Sequence, residues 1–182
     1  FHGEPMAIPF DTLGIAASEL ANSSERRLER MVNAALSNGL TPFLTVEGGV
    51  NSGYMIVQYA AASMVSENKI YAHPASVDSI PSSANQEDIV SMGTTAARKS
   101  ALILDNAQKV LGIELFAAAQ ALWLRGEEKL SPATKAVYDH VRGKVEPIEN
   151  DIVMHYPMVL CEEMVKNHEI TAAAEAVCGA LR

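Results

Sequence analysis

The spacing of apolar residues along this chain predicts a series of helices joined by loops that contain proline and glycine. Apolar positions recur at helical intervals over residues 13–36, after Asp11, a suitable N-cap, and before Gly39, a helix stop signal. The start of the chain contains two prolines, Pro5 and Pro9, and is predicted to form a loop. A first helix is therefore expected to begin at Asp11 and to end shortly before Gly39.

Two further helices are predicted to be apolar on most of their surface. The second begins at Asn51 or Ser52, runs to about Asn68 and has no broad polar face. The third is expected from about Asn85 to Leu124, because this stretch contains no proline. Its length of roughly 60 Å would be about twice the diameter of a small domain. We therefore expect a large helical bundle that is closed by further chain or by other subunits, and exposed apolar surface on both helices of the chain taken alone.

Three shorter helices are predicted after Gly126, which ends the long helix. Ser131 followed by Pro132 is a strong start signal, because serine caps a helix and proline fits its first position. The three helices are expected over residues 131–142, 149–165 and 172–181, with a break before Pro157 in the middle one. The expected fold class is all-α, with the main bundle in residues 1–125 and a tail of short helices, in the same domain, in residues 126–182.

Composition agrees with packed helices and excludes several classes of function. Apolar residues make up 48% of the chain and aromatic residues 5%, so the core is aliphatic. The formal charge of −8 and the lack of a basic run exclude a nucleic-acid partner. The two cysteines form no disulfide framework, which favours the cytoplasm. No membrane association is expected, because no apolar run approaches the roughly 20 residues of a membrane span.

The sequence begins at Phe1 rather than at a methionine, within a segment that contains glycine and proline. Natural start sites rarely have this form. We therefore expect the chain to be a piece of a longer protein or a processed product.

The candidate chemistry is concentrated in the polar cluster Asn85-Gln86-Glu87-Asp88. In the first turn of the predicted long helix, the helix dipole would favour ionised Glu87 by about 0.3–1 kcal/mol. A carboxylate placed in this way can accept a proton or bind a cationic or imidazole N–H group, although it can also simply decorate a helix start. His73 is a candidate ligand, base or loop-fixing group. No second histidine or cysteine has metal-ligand spacing, so no metal site is expected.

Several segments of the chain resemble the aromatic amino acid lyase family, in particular its histidine-acting members. The resemblance is dense and collinear from residue 1 to about residue 135, whereas the tail from Val145 onward departs from the pattern. The matching segments are FHGEP (1–5), SERR (24–27), GGVNSGYMI (48–56), SENK (66–69), AHPASVDSIP (72–81), SANQED (83–88), SMG (91–93) and AAR (96–98).

The resemblance implies a fumarase/aspartase-like helical core and a homotetramer in which the central helices of four subunits pack together. It also implies the non-oxidative elimination of ammonia from an aromatic amino acid, giving urocanate when the substrate is L-histidine. The family's electrophile is 4-methylideneimidazole-5-one, which forms from an Ala-Ser-Gly run. That run and the family's tyrosine and arginine loop are absent from these residues. The chain therefore resembles the C-terminal third to two-fifths of a subunit and is expected to be inactive alone, without its N-terminal partner region.

Three residues match active-site positions of the family. Phe1 matches an aromatic residue near the electrophile, and Met55 matches a residue beside the substrate ring. Glu87 matches a glutamate that contacts the imidazole and assists proton transfer or orients the ring. Met55 together with Glu87 favours histidine as the substrate, since members that act on tyrosine or phenylalanine carry other residues at these positions. No residue of this chain is expected to bind the cofactor.

Two other interpretations stay open. One is a related phenylalanine or tyrosine ammonia-lyase, or an aminomutase. The other is a non-catalytic helical oligomerisation module that descends from the lyase. An Ala-Ser-Gly run upstream of Phe1 would favour an enzyme.

Overall fold

The computed structural model describes residues 2–126 and 129–181, and these residues form six α-helices. The helices are α1 (Glu4–Val32), α2 (Met55–Tyr71), α3 (Gly93–Arg125), α4 (Pro132–Arg142), α5 (His155–Lys166) and α6 (Glu169–Cys178). Short 3₁₀ turns lie at Pro42–Leu44 and Ser83–Asn85. The all-α prediction is confirmed. Within the described part of the chain, none of the helices has the length and apolar character needed to cross a bilayer.

The chain divides into two compact units, and α1, α2 and α3 each contribute residues to both. The first unit comprises Phe1–Ser23 and Ser63–Ala107. The second comprises Ser24–Ala62 and Gln108–Arg182.

Helix α1 begins seven residues earlier than predicted, at Glu4 rather than at Asp11. Pro5 lies in the first turn, where its missing N–H would have no helical partner, and Pro9 is accommodated inside the helix. The prediction of a loop at the start of the chain was therefore wrong. The helix ends at Val32 rather than near Gly39, and the Asn33 side chain there accepts a hydrogen bond from the Ala35 N–H at 3.0 Å.

The face that α1 buries in the first unit is made of small residues. Ala7 and Ala21 are fully buried, whereas Leu13 and Leu20 are 43% and 50% exposed. A β-carbon on Gly14 would lie 3.0 Å from Ile103 Cδ1, so α1 and α3 approach each other closely here. Ala17 and Ala21 of the predicted apolar face are therefore buried as expected, but including the two leucines was wrong, because close helix packing selects small side chains here.

Helix α3 begins at Gly93 and not at Asn85, so its 33 residues span about 50 Å. It ends at Arg125, before Gly126 with φ of 88°, as predicted. Helix α4 also matches its prediction, since the Ser131 side chain accepts a hydrogen bond from the Thr134 N–H at 3.3 Å.

The last two helices differ from their predicted bounds. Helix α5 begins at His155 rather than at Glu149, and Pro157 lies in its first turn rather than after a break. Helix α6 begins and ends three residues earlier than predicted, and it runs from Glu169 to Cys178.

The second unit has a larger apolar core. The rings of Tyr54 and Phe116 pack with their centroids 4.6 Å apart, and both side chains are fully buried. Burial also raises the pKa of the Cys161 thiol to about 12, so this cysteine is a protonated core residue at neutral pH. Other buried apolar members of this core are Leu28, Val32, Leu44, Val57, Val110, Val141 and Met164.

In the first unit, the side chain of Asp11 connects α1 to the loop that follows α2. The carboxylate, 7% exposed as a residue, accepts hydrogen bonds from the Ala75 N–H at 2.9 Å and the Ser76 N–H at 2.7 Å. Lys99 Nζ lies 3.6 Å from the same carboxylate. Burial raises the pKa of Asp11, but the hydrogen bonds from Ser76 and Ala75 and the charge of Lys99 outweigh it and lower the pKa below 3.8.

We expect Gly112→Ala to lower the free energy of unfolding by about 3 kcal/mol, because a β-carbon there would lie 2.7 Å from the backbone of Glu162 in α5. Chemical denaturation measures the change. Gly48→Ala is the control: nothing lies within 4 Å of its added carbon, so its effect should stay within about 0.5 kcal/mol. Equal effects of the two substitutions would contradict the close helix contact.

We expect Asp11→Asn to lower the free energy of unfolding by about 1–3 kcal/mol at neutral pH, since the carboxylate holds two backbone donors. The folded-state pKa lies below 3.8. The stabilisation is therefore complete above about pH 5 and is lost as the pH falls through the folded-state pKa. Thermal unfolding measured from neutral to acidic pH tests this. The exposed Asp78→Asn variant is the control and should change the free energy of unfolding at neutral pH by no more than about 0.5 kcal/mol. A constant deficit of Asp11→Asn down to acidic pH would contradict the assignment.

Candidate active site

Residues 72–92, which we call the Glu87 loop, connect α2 to α3 in the first unit. The start of this loop is held by Asp11 through Ala75 and Ser76. Lys99 Nζ donates a hydrogen bond to the carbonyl of His73. The backbone of His73, rather than its imidazole, therefore takes part in fixing the loop.

Further along, the two sides of the Glu87 loop are hydrogen-bonded to each other. The Val90 N–H donates to Ser79 Oγ at 2.9 Å. Ser82 and Glu87 exchange two backbone hydrogen bonds, of 2.9 and 3.3 Å, in an isolated antiparallel bridge. These contacts define the backbone position of Glu87.

Between the two bridge residues, the chain makes a left-handed turn. Ser83, Ala84 and Asn85 have φ angles of 51°, 55° and 66°, a region that residues with a side chain rarely adopt. Left-handed conformations at residues other than glycine are unfavourable and persist where surrounding contacts impose them, often at functional sites. The first reason to regard this loop as a candidate site is the polar cluster Asn85-Gln86-Glu87-Asp88, and the strained turn is a second one.

Glu87 itself lies in this loop and not in the first turn of a helix, so the predicted help from a helix dipole was wrong. Its side chain is 46% exposed, and the carboxylate lies 3.8 Å from Nε2 of His2. The His2 side chain is 28% exposed. The structure thus brings together a carboxylate and an imidazole from segments far apart in sequence, and it presents the carboxylate oxygens as hydrogen-bond acceptors.

Met55 belongs to the second unit, where it is the first residue of α2. Its half-buried side chain lines a cavity of about 260 Å³ together with Phe43, Gln58, Tyr59 and Ala62. A thioether in such a wall offers a flexible, polarisable contact for a planar ring.

The other candidates differ in what the structure says of them. Phe1, predicted to lie near the electrophile, falls outside the described residues. Nε2 of His140, in α4, lies 2.6 Å from Glu169 Oε2. Hydrogen bonds from Lys144 and His140 lower the pKa of Glu169. Glu169 of α6 thus contacts α4 through His140, and it forms an ion pair with Lys144 just beyond the end of α4. Within residues 2–126 and 129–181, no three histidine, cysteine or acidic side chains cluster in a metal-binding arrangement.

Three contributors to these loops were missed by sequence reasoning. Asp11 was assigned as a helix cap, and Ser79 and Asp151 were assigned no role. Asp151 accepts hydrogen bonds from the Ser52 and Gly53 N–H groups, which precede Met55. The pairs made by Asp11 and Asp151 lie about 60 to 100 positions apart along the chain and leave no local sequence signal.

Comparison with known proteins gives the family. The model for aromatic amino acid lyases matches residues 1–143. Histidine ammonia-lyase 1 of Fusobacterium nucleatum subsp. nucleatum is 57% identical over 182 residues, which cover 100% of this chain and 35% of the relative. The family model ends close to the expected departure at Val145, whereas the similarity to this relative continues through the tail.

Solved structures agree in fold. The crystal structure of histidine ammonia-lyase from Trypanosoma cruzi aligns with a TM-score of 0.93 and 40% identity, over 97% of this chain and 34% of that one. Tyrosine aminomutase from Streptomyces globisporus aligns with a TM-score of 0.93 and 37% identity, with the same coverage. The chain spans about a third of the length of these relatives. On the match to its family model, this chain belongs to the aromatic amino acid lyase family.

Proposed function

We propose that this chain works as part of a histidine ammonia-lyase, which eliminates ammonia from L-histidine to give urocanate. The observation that carries the proposal is the exposed carboxylate of Glu87, presented by a strained and tethered loop in a chain 57% identical to a protein named histidine ammonia-lyase. Because the chain spans about a third of that relative, we infer that activity needs further protein and that the chain alone is inactive.

Glu87 is proposed to bind the imidazole ring of the substrate. An imidazole carries an N–H donor, and a carboxylate is a strong, charge-assisted acceptor for it. The elimination removes a proton from Cβ and releases the amino group from Cα as ammonia, with a double bond formed between the two carbons. Glu87 orients the ring for this step and can take up a proton.

Met55 and Phe1 are proposed to complete the substrate contacts. Met55 would lie against the face or edge of the substrate ring, which fits its place in an apolar cavity wall. Phe1 would lie near the electrophile.

The proposed division of the chain places the site loops in residues 1–125 and the helical tail in residues 126–182.

The electrophile is proposed to be 4-methylideneimidazole-5-one, which activates the substrate amino group as a leaving group. No described residue is assigned to hold it, since the Ala-Ser-Gly run from which it forms does not occur in this sequence.

The cytoplasm is the proposed location, because Cys161 and Cys178 are free thiols, as expected in a reducing compartment.

A related ammonia-lyase or an aminomutase is the second candidate. It is supported by the match to tyrosine aminomutase, whose TM-score of 0.93 equals that of the histidine enzyme. Glu87 favours histidine, whose ring itself carries an N–H donor, since a phenylalanine ring has no donor for the carboxylate and a tyrosine ring has one only at its phenolic O–H. A non-catalytic oligomerisation module would leave the exposed Glu87 carboxylate without a role.

In the full-length enzyme, we expect Glu87→Gln to lower kcat for histidine by about 100-fold or more, because the amide cannot take up a proton and binds an N–H more weakly. Steady-state kinetics with urocanate formation as the readout measures the change. The neighbouring Asp88→Asn removes one exposed charge from the same loop and should leave kcat within about twofold.

A further variant, Glu87→Ala, compared with Glu87→Gln separates the two roles of Glu87. If the carboxylate only orients the ring, Glu87→Gln should retain far more activity than Glu87→Ala, since it keeps an acceptor oxygen. If proton uptake dominates, both variants should be similarly slow. Unchanged histidine kinetics in both variants would reject the proposed site.

We propose that the protein assembles into a homotetramer, and we expect it to sediment as a species heavier than one chain. The support is the exposed apolar surface of α2, where Ile56, Tyr59 and Ile70 are 61%, 68% and 69% exposed. Sedimentation velocity at micromolar concentration provides the measurement. A clean monomer across the concentration range would contradict the proposed assembly.

A further inference from the structure

The carboxylate of Asp151, in the segment between α4 and α5, binds the backbone immediately before α2. Oδ2 accepts a hydrogen bond from the Ser52 N–H at 2.8 Å, and Oδ1 accepts one from the Gly53 N–H at 2.9 Å. The contact is reciprocal, because the Asp151 N–H donates to Asn51 Oδ1 at 2.9 Å. All of these residues lie in the second unit. Two adjacent backbone donors held by one carboxylate leave the segment little freedom to rotate.

The segment that carries Asp151 is itself anchored in the core. The fully buried amide of Gln120 in α3 donates to the Ile148 carbonyl at 2.7 Å and accepts from the Ile148 N–H at 3.0 Å. Both polar atoms of one side chain therefore fix the backbone three residues before Asp151. The carboxylate is held from a rigid base, since leaving either buried amide atom unpaired would be costly.

On its other side, the segment before α2 packs against the backbone at Phe43. The Tyr54 N–H donates to the Phe43 carbonyl at 2.8 Å. A β-carbon on Gly53 would lie 2.5 Å from the same carbonyl oxygen, and Gly53 has φ of 56°. The segment is thus held between Phe43 and Asp151. The next residue along the chain, Met55, lines the cavity that Phe43 also lines.

We propose that Asp151 is a positioning residue for substrate binding. It fixes Ser52 and Gly53, and through them the first turn of α2 and the side chain of Met55. The inference rests on the proposed function, in which Met55 contacts the substrate ring. It assigns a role to the tail beyond α4. Through Asp151, the tail sets the geometry of the substrate-binding side chain of Met55.

The test uses the full-length enzyme and compares Asp151→Ala with unsubstituted protein. We expect KM for histidine to rise about tenfold, because a small displacement of a binding side chain weakens substrate binding. The value of kcat should stay within about twofold, since Met55 takes no part in proton transfer. Asp151→Asn, which keeps one acceptor oxygen, should give an intermediate KM. Glu149→Ala removes a nearby exposed charge from the same segment and should change neither constant.

A double-substitution cycle shows whether the effect passes through Met55. In a Met55→Ala background, Asp151→Ala should raise KM by about twofold or less, because the side chain that it positions is already absent. A purely structural role for Asp151 would give the same loss in both backgrounds, and that result would overturn the inference. Amide hydrogen exchange should also show faster exchange at residues 52 and 53 in Asp151→Ala than in Glu149→Ala.

The possible failures are distinguishable. If the unsubstituted full-length enzyme does not convert histidine to urocanate, the proposed function is wrong and the inference falls with it. If it does, but KM for histidine is unchanged in Asp151→Ala, the positioning role alone is wrong.

Discussion

The loops of this protein depend on one constraint. Backbone N–H groups outside the helices have no helical acceptor, and side chains distant in sequence supply one. In the first unit the acceptor is the carboxylate of Asp11, which receives the Ala75 and Ser76 N–H groups. In the second unit it is the carboxylate of Asp151, which receives Ser52 and Gly53. Each carboxylate binds two consecutive donors, so it fixes the direction of the chain as well as its position. Glu87 and Met55, two of the residues proposed to contact substrate, follow these tethered segments.

This arrangement also accounts for the strained turn before Glu87. Left-handed geometry at Ser83, Ala84 and Asn85 is unfavourable in an isolated chain, so it needs support from outside the turn. The Ser82–Glu87 bridge closes the turn, and the Ser79–Val90 hydrogen bond joins the loop on either side of it. A loop held in this way can present a half-exposed carboxylate in a defined direction without placing it on a helix.

How far the sequence predicted the molecule differs from element to element. Helix α4 was predicted correctly because its signals, Ser131 and Pro132, are local. The predicted start of α1 was wrong because prolines fit within the first turns of this helix. The predicted start of α3 was wrong because residues 83–92, although they lack proline, form a turn and a bridge instead of helix. The inclusion of Leu13 and Leu20 in the buried face of α1 was wrong because the neighbouring helix comes too close for leucine, as the contact between Gly14 and Ile103 indicates.

The sequence by itself determined the helical class, the ends of helices with local caps, the family resemblance and the identity of Glu87 and Met55 as candidates. Periodicity, capping and motif residues are properties of neighbours along the chain, so they can be read without a structure. Only the tertiary structure decided that Glu87 lies on a strained loop near His2, that Asp11 is a tether rather than a cap, and that Asp151 holds the segment before Met55. The two tethers and the approach of His2 to Glu87 depend on contacts between residues about 60 to 100 positions apart, and local sequence patterns carry no record of such pairs.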